Sequence, residues 1–507
     1  MPDCRVIQHS RGLVIAACVL AVCLLAPLVS SAQETGAAAV TAPPAPDSPL
    51  LERIRAAAAQ TTPAAAAQYA PAAAVHIPDY QSPECPGCPK LSWGKALLGT
   101  EGVNLMFSLL NMATRSGEER DQFKVTPKTW WENLKYGYIF DDNNFKVNQF
   151  GHPYQGGMYF NAGRANGLNY WESAMMSALG SFTWECCGET NRGSINDFYA
   201  TTMGGMVLGE VFHRMAGLVR DNMATGGRGK KELLATVIDP VGGAMRAING
   251  EWGTVKANPP DQRPDYLGVS AQAGAIWRGA AGTLQEAKAY PYLEIDFLYG
   301  DPIKSAWKKP FDAFQAQFVL GGGAGFSEFN VSGRLWGKPL KDTPTSATRL
   351  QINQGYLFVS NPAYDLGGQS AGASVMYWKS LGSRSAVLLN VSGSFFPLVA
   401  ISAEHVDVNE RTYDYGPAPA ASVFLAIRHR EEPVLKLFYT SAYINAVNGS
   451  GGSHVVQMVQ GRLAWPLTKR FSAGGSYSLF MRNSYYPTDP DTYTRYPESR
   501  IFLGVRF

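Results

Sequence analysis

From about residue 265 to the end, apolar and polar residues alternate with a period of two. In "YPYLEIDFLY", Leu293, Ile295 and Phe297 alternate with Glu294 and Asp296, and in "FDAFQAQFVL", Phe314, Phe318 and Leu320 alternate with Gln315 and Gln317. In "RLQINQGYLF", Leu350, Ile352, Tyr356 and Phe358 alternate with Arg349, Gln351 and Asn353, and "SRIFLGVRF" puts Ile501, Leu503, Val505 and Phe507 on one face. Successive strand residues point to opposite faces, so each segment has one apolar and one polar side. Such segments, divided by turn signals, fall near 266–278, 289–300, 310–322, 325–337, 348–359 and 368–379. Six more fall near 383–394, 411–429, 432–446, 453–466, 469–483 and 496–507. About twelve strands are expected. An even number of antiparallel strands, apolar outside and polar inside, satisfies every backbone group in hydrocarbon only when the sheet closes on itself. Aromatic residues at segment ends (Tyr290, Trp307, Trp336, Trp378, Tyr413, Trp465, Tyr485, Tyr486) suit interfacial girdles. A soluble β-sandwich with solvated faces is the alternative.

Residues 91–255 carry apolar spacings of three and four instead, which predict helices near 96–114, 148–166, 171–187, 195–222 and 231–247. None reads as an inner-membrane span. The stretch 173–184 is about half the ~20 apolar residues required, and 198–218 carries Glu210, His213 and Arg214. The fold class is therefore α+β: a helical domain (91–255), expected beneath the barrel in the periplasm or inside it as a plug, then a transmembrane β-barrel (265–507).

Composition adds a compartment. Arg5 and Arg11 precede "GLVIAACVLAVCLLAPLV" and the small residues Ser30 and Ala32, the pattern of a secretory signal cut near Ala32. Residues 33–90 are largely an Ala/Pro tract with little apolar surface to bury, expected as a linker. Of seven cysteines, Cys85, Cys88, Cys186 and Cys187 follow the signal. An exported chain favours disulfides for them, with connectivity open. A formal net charge of +3 on 507 residues gives no basis for nucleic-acid binding.

The helical region holds the candidate chemistry. In "QFGHPYQGGMYFNAGRANG" (149–167), His152, Gly156 and Gly163 fall on roughly one helical face beside Tyr159, so small residues admit a neighbouring helix and His152 points into the space between. Glu185 and Glu189 stand four apart, and Ser194 and Asp197 have capping-box spacing. A histidine oriented by a carboxylate can activate water or a hydroxyl, so His152, Glu185, Glu189 and Asp197 are the candidate catalytic residues. A buried structural histidine and a metal ligand are the other readings of His152. Asp197 also suits a capping acid at a helix N-terminus, and Glu210 with Arg214 an i,i+4 surface pair. Glu210 and His213 form a single carboxylate–imidazole pair, a weak metal motif that di-iron bundles need twice. No metal or cofactor is expected, and "GGGAGF" (321–326) reads as a strand-to-strand turn.

The run "FGHPYQGGMYFNAGRANGLNYWESAMMSALGSFTWECCGETNRGSINDFYATTMGGMVLGEVFHR", with "RTYDYGP" at 411–417 and the terminal barrel, resembles the bacterial outer-membrane family known as domain of unknown function 3943. That resemblance implies an outer-membrane protein without an established activity. The helical region also resembles VanZ-like membrane proteins, with His152, Glu185 or Glu189, and Asp197 matching their histidine, glutamate and aspartate. It departs from them at Asn148 and Gln149, where an acidic–basic pair would stand, and at Thr201, where an asparagine would. The last strand, ending on Phe507, resembles the sorting signal read by the barrel-assembly machinery. The expected partners are that machinery and outer-membrane lipids. A barrel whose helical domain serves envelope organisation or ligand binding is the first functional reading. A hydrolase or acyltransferase acting on lipid or glycolipid is the second, and a narrow gated pore the third.

Overall fold

The computed structural model describes residues 88–507, apart from 142, 221–227, 255–261, 281–282, 324, 406–411 and 430–431. The signal segment, most of the Ala/Pro tract and Cys85 lie outside the described residues. The strands are β1 Leu267–Ala280, β2 Thr283–Tyr299, β3 Phe314–Gly321, β4 Phe326–Thr343, β5 Ser346–Asn361 and β6 Tyr364–Ser380. They continue as β7 Ser385–Ser402, β8 Tyr413–His429, β9 Glu432–Asn445, β10 Ser453–Pro466, β11 Phe471–Tyr485 and β12 Thr492–Arg506. Each pairs antiparallel with its neighbour in sequence, and β1 closes on β12 from Ser270↔Arg506 to Arg278↔Glu498. The twelve expected segments are these twelve strands.

Polar and charged alternate positions face the lumen. Arg500 on β12 reaches Glu294 on β2 at 3.0 Å and Glu328 on β4 at 2.6 Å, and Arg462 on β10 reaches Glu294 at 3.3 Å. Only inward-pointing side chains can bridge strands so far apart around a barrel. Arg278 and Arg500 also hold Glu498, and Gln272 donates to both Glu294 and Asp296. Beside these ion pairs, where Val359 stands opposite Glu328, an apolar cluster of Val359, Tyr364, Leu366, Val399, Ile401 and Phe480 packs the interior. The connection 300–313 tucks under the barrel, where Asp312 pairs with Arg334 at 2.9 Å and Gln351 donates to the Pro302 carbonyl at 2.6 Å. The lumen is therefore crossed by ion pairs and packed side chains.

Outward positions are apolar. On β6, β7, β8, β9, β10 and β12, residues such as Val375, Val391, Phe395, Val423, Leu437, Val459, Leu463, Ile501 and Leu503 stand exposed. A closed antiparallel barrel with this exterior spans a membrane.

The helices are α1 Trp93–Thr114, α2 Gly117–Asp121, α3 Pro127–Tyr136, α4 His152–Arg164, α5 Tyr170–Cys187, α6 Ile195–Tyr199, α7 Gly205–Arg220, α8 Arg228–Ile238 and α9 Pro240–Ile248. Short π-helical turns at Val147–Gly151 and Ala200–Gly204 lead into α4 and α7. The two long helices expected at 148–166 and 195–222 thus each contain a widened turn. The single helix expected at 231–247 is broken at Asp239, which caps α9 through the Gly242 N–H. None of the described helices is long and apolar enough to cross a membrane.

These helices neither enter the lumen nor plug it. They pack on the outside of the barrel wall. Val207, Val211, Phe212 and Met215 of α7 share one core with Ile295, Phe297, Phe314, Phe318, Phe329, Tyr356 and Phe358, the outward faces of β2 to β5. Phe150 meets Phe326 and Phe358 with ring centroids at 5.3 and 6.2 Å, and Phe145 meets Phe358 at 5.7 Å. Outward residues that the alternation assigns to lipid are covered here by protein. The far side of the helical domain is itself apolar, with Leu98, Leu105 and Leu109 of α1 and Trp171 and Met175 of α5 exposed.

Candidate functional site

The site is built where α4 crosses α7 and the π-turn before it. A Cβ on Gly156 would lie 1.8 Å from the Thr201 carbonyl oxygen, and one on Gly205 would lie 2.4 Å from the Gly156 carbonyl carbon. Backbone therefore touches backbone. Ser177 of α5 closes the junction, its hydroxyl donating to Gly156 O at 3.0 Å and to Thr201 O at 3.3 Å. A π-turn frees carbonyls from the usual helical ladder, and the wall accepts this need. The Tyr356 hydroxyl donates to Gln149 O at 2.5 Å, and Gln354 donates to Met203 O at 3.5 Å.

This crossing seats His152 at the start of α4, buried. Its Nε2 lies 3.3 Å from Asp197 Oδ2. Glu185, near the end of α5, joins them: one ligand atom from each of His152, Glu185 and Asp197 falls within 4.8 Å of the others. Glu185 is oriented by the Ser194 backbone N–H, 2.7 Å from Oε2. Ser194 caps α6 by accepting from the Asp197 N–H, which leaves the Asp197 carboxylate free to face Asn196 and His152.

Two further polar groups complete the cluster. Asp141 accepts from Asn148 Nδ2 at 3.0 Å and from Asn196 Nδ2, while Asn148 also donates to the Tyr413 hydroxyl at 2.9 Å. Asp141 and Asn196 were not expected from the sequence. Asp141 precedes the periodic stretch, and only its place in "DDNN" just before the helix marks it. The "RTYDYGP" motif is also explained. Tyr413 and Tyr415 face outward to the helices, where Gln149 donates to the Tyr415 hydroxyl at 3.0 Å, while Asp414 faces inward to His454 at 2.9 Å.

Burial dominates the electrostatics. It drives the His152 pKa down to about 4, so the ring is neutral. Burial pushes the Glu185 carboxyl well up, with Glu189 adding to it. Asp197 is raised well above the ordinary range by burial and then by Asp141 and Glu185. The site is a crowd of acids around one imidazole, and among the described residues neither Glu185 nor Asp197 has a Lys or Arg partner.

Glu189 stands apart from the other three candidates. Its Oε1 accepts from Trp184 Nε1 at 3.1 Å, and burial raises its pKa to about 7. The Glu210–His213 pair diverges. Glu210 is held by Arg164 and Arg214, each at 2.8 Å, and these outweigh the burial that pushes its carboxyl up. The Glu210–Arg214 pair expected at the surface is fully buried, because α7 lies between the wall and the other helices. His213 instead faces Asp239 at 3.9 Å and Gln262 at 3.1 Å. Cys186 and Cys187 are bonded to each other directly after Glu185, and Cys88 is also in a disulfide.

Residues 137–241, which contain the whole cluster, match the model of a family described as a domain of unknown function, DUF3943. No curated protein sequence matches the chain. Among solved structures, the chain is similar to a KdgM porin at 8% identity, with 46% of this chain and 99% of that one covered and a TM-score of 0.21. It is similar to the outer membrane channel DcaP of Acinetobacter baumannii at 8% identity, 48% and 96% coverage and a TM-score of 0.22. A monoaromatic hydrocarbon channel, CymD, matches at 8% identity, 49% and 90% coverage and a TM-score of 0.20.

Proposed function

We propose that this outer-membrane β-barrel, which carries domain of unknown function 3943 over residues 137–241, is a membrane-anchored binding protein whose working part is the helical domain on its flank. The observation that carries this reading is the docking of α7 and the two π-turns on outward wall residues, with the His152–Glu185–Asp197 cluster held between the helices. The barrel then serves as anchor and wall. Ion pairs around Arg500 and the tucked 300–313 connection favour that role over a conduit. In this reading the chain is exported by a signal cut near Ala32 into the periplasm of a Gram-negative cell. The barrel-assembly machinery inserts it through the strand ending in Phe507, and outer-membrane lipids surround it. His152, Glu185 and Asp197 bind the ligand, and Glu189 tunes the acidity around them.

The test is conductance in planar lipid bilayers with the purified full chain. The expected result is no steady ohmic current. A steady current that scales with inserted protein would make the lumen the working path, favour the gated-pore reading and overturn this one.

A further inference from the structure

Among the described residues, two other buried acids of the helical domain each sit between two guanidinium groups. Glu210 has Arg164 and Arg214, and Glu232 has Arg220 and Arg246. Among the described residues, Glu185 and Asp197 beside His152 have no such basic partner. Glu185 and Asp197 are buried, and the charged groups acting on them are further carboxylates, Glu189 and Asp141 among them. Buried acids without a basic partner hold their protons or give them up to a bound metal ion.

We propose that His152, Glu185 and Asp197 bind a divalent first-row metal ion such as Zn2+. The geometry fits. Two ligands ~2.0–2.1 Å from one tetrahedral ion stand ~3.3 Å apart, and His152 Nε2 is 3.3 Å from Asp197 Oδ2. All three ligand atoms lie within 4.8 Å of one another, so they must draw in by up to ~1.5 Å to share one ion. A second observation is that buried polar atoms around the three ligands lack hydrogen-bond partners. His152 is only 8% exposed, its ring is aimed at Asp197, and its Nδ1 has no hydrogen-bond partner. The buried Asn148 Oδ1 beside Asp141 also lacks one. One imidazole and two carboxylates suit Zn2+, Mn2+ or Fe2+ better than Mg2+ or Ca2+, which prefer all-oxygen sites. Three protein ligands leave a coordination position for water or a bound group. The carboxylates are set by elements that do not depend on the ion: Glu185 by the Ser194 N–H, Asp197 by the cap of α6.

This assignment rests on the reading that the helical domain is the working part, yet it fails separately from it. A conducting lumen would leave the metal site standing, and an empty site would leave the closed lumen standing. The experiment uses the full chain in detergent, stripped with chelator and dialysed against Zn2+, with metal content measured per folded barrel. The expected result is one Zn2+ per wild-type chain, with affinity at least tenfold weaker in both Asp197→Asn and Glu185→Gln. Their folding is checked by heat-modifiable migration. No binding by the wild type, or binding unchanged in both variants, overturns the assignment. Should the variants fail to fold, Co2+ added to the stripped wild type decides. Visible absorption of a four- or five-coordinate nitrogen–oxygen site supports it, and a spectrum of free aqueous Co2+ overturns it.

Discussion

At the scale of residues, the helical domain treats its buried acids in two ways. Glu210 sits between two guanidinium groups that outweigh the cost of burial, whereas Glu185, Asp197 and Glu189 are pushed towards their neutral forms. Glu189 gives the difference a measurable sign. Its pKa is about 7 in the folded protein against an ordinary 4.5, so the folded state binds the proton more tightly. Its contribution to stability is full below about pH 4.5 and is lost as pH rises to 7. Glu189→Gln keeps an acceptor for Trp184 and removes the titration. The variant should gain on wild type by roughly 1–3 kcal/mol between pH 5 and pH 8. Thermal melting of the helical domain, followed by tryptophan fluorescence in detergent, checks this. A gap between the two melting curves that stays constant with pH would show that Glu189 does not titrate in this window.

At the scale of elements, the crossing of α4 with α7 is the tightest feature. Gly156→Ala puts a methyl into the Thr201 carbonyl, and overpacking of this kind costs roughly 1–3 kcal/mol or more. The expected outcome is a barrel that still migrates as folded while its helical domain melts at lower temperature. Equal melting would mean that the crossing opens freely. The glycine spacing of α4 marks a close helix approach without naming α7 as the neighbour, and alternation divided by turn signals marks the twelve strands. The π-turns were not readable, because one extra residue per turn changes no residue type. Nor was the short α3, although Thr126 before Pro127 is a start signal in hindsight and Thr126 does accept from the Thr129 N–H. In the site, His152, Glu185 and Asp197 were legible from their places on helix faces. Asp141 and Asn196 were not, because their roles depend on which elements meet.

At the scale of the whole molecule, the alternation assigned Phe297, Phe318 and Phe358 to lipid, and sequence alone could not say that another part of the same chain covers them. Directional contacts hold that cover in register. Tyr356 donates to Gln149 O, Gln149 donates to the Tyr415 hydroxyl, and Arg214 donates to Pro310 O at 3.0 Å. Removing one such buried bond typically costs about 1 kcal/mol, and more where an acceptor is left unpaired. Tyr356→Phe combined with Tyr415→Phe should leave barrel migration unchanged and make residues 91–250 more readily cleaved by added protease. Unchanged cleavage would show that these bonds do not hold the cover. The covered wall has a further consequence. Were the helices to lift away, the exposed phenylalanines would meet acyl chains rather than water, so the hydrophobic effect supplies little of the attachment and close packing supplies most of it. Lifting and seating form a balance in which the bilayer is the competing solvent.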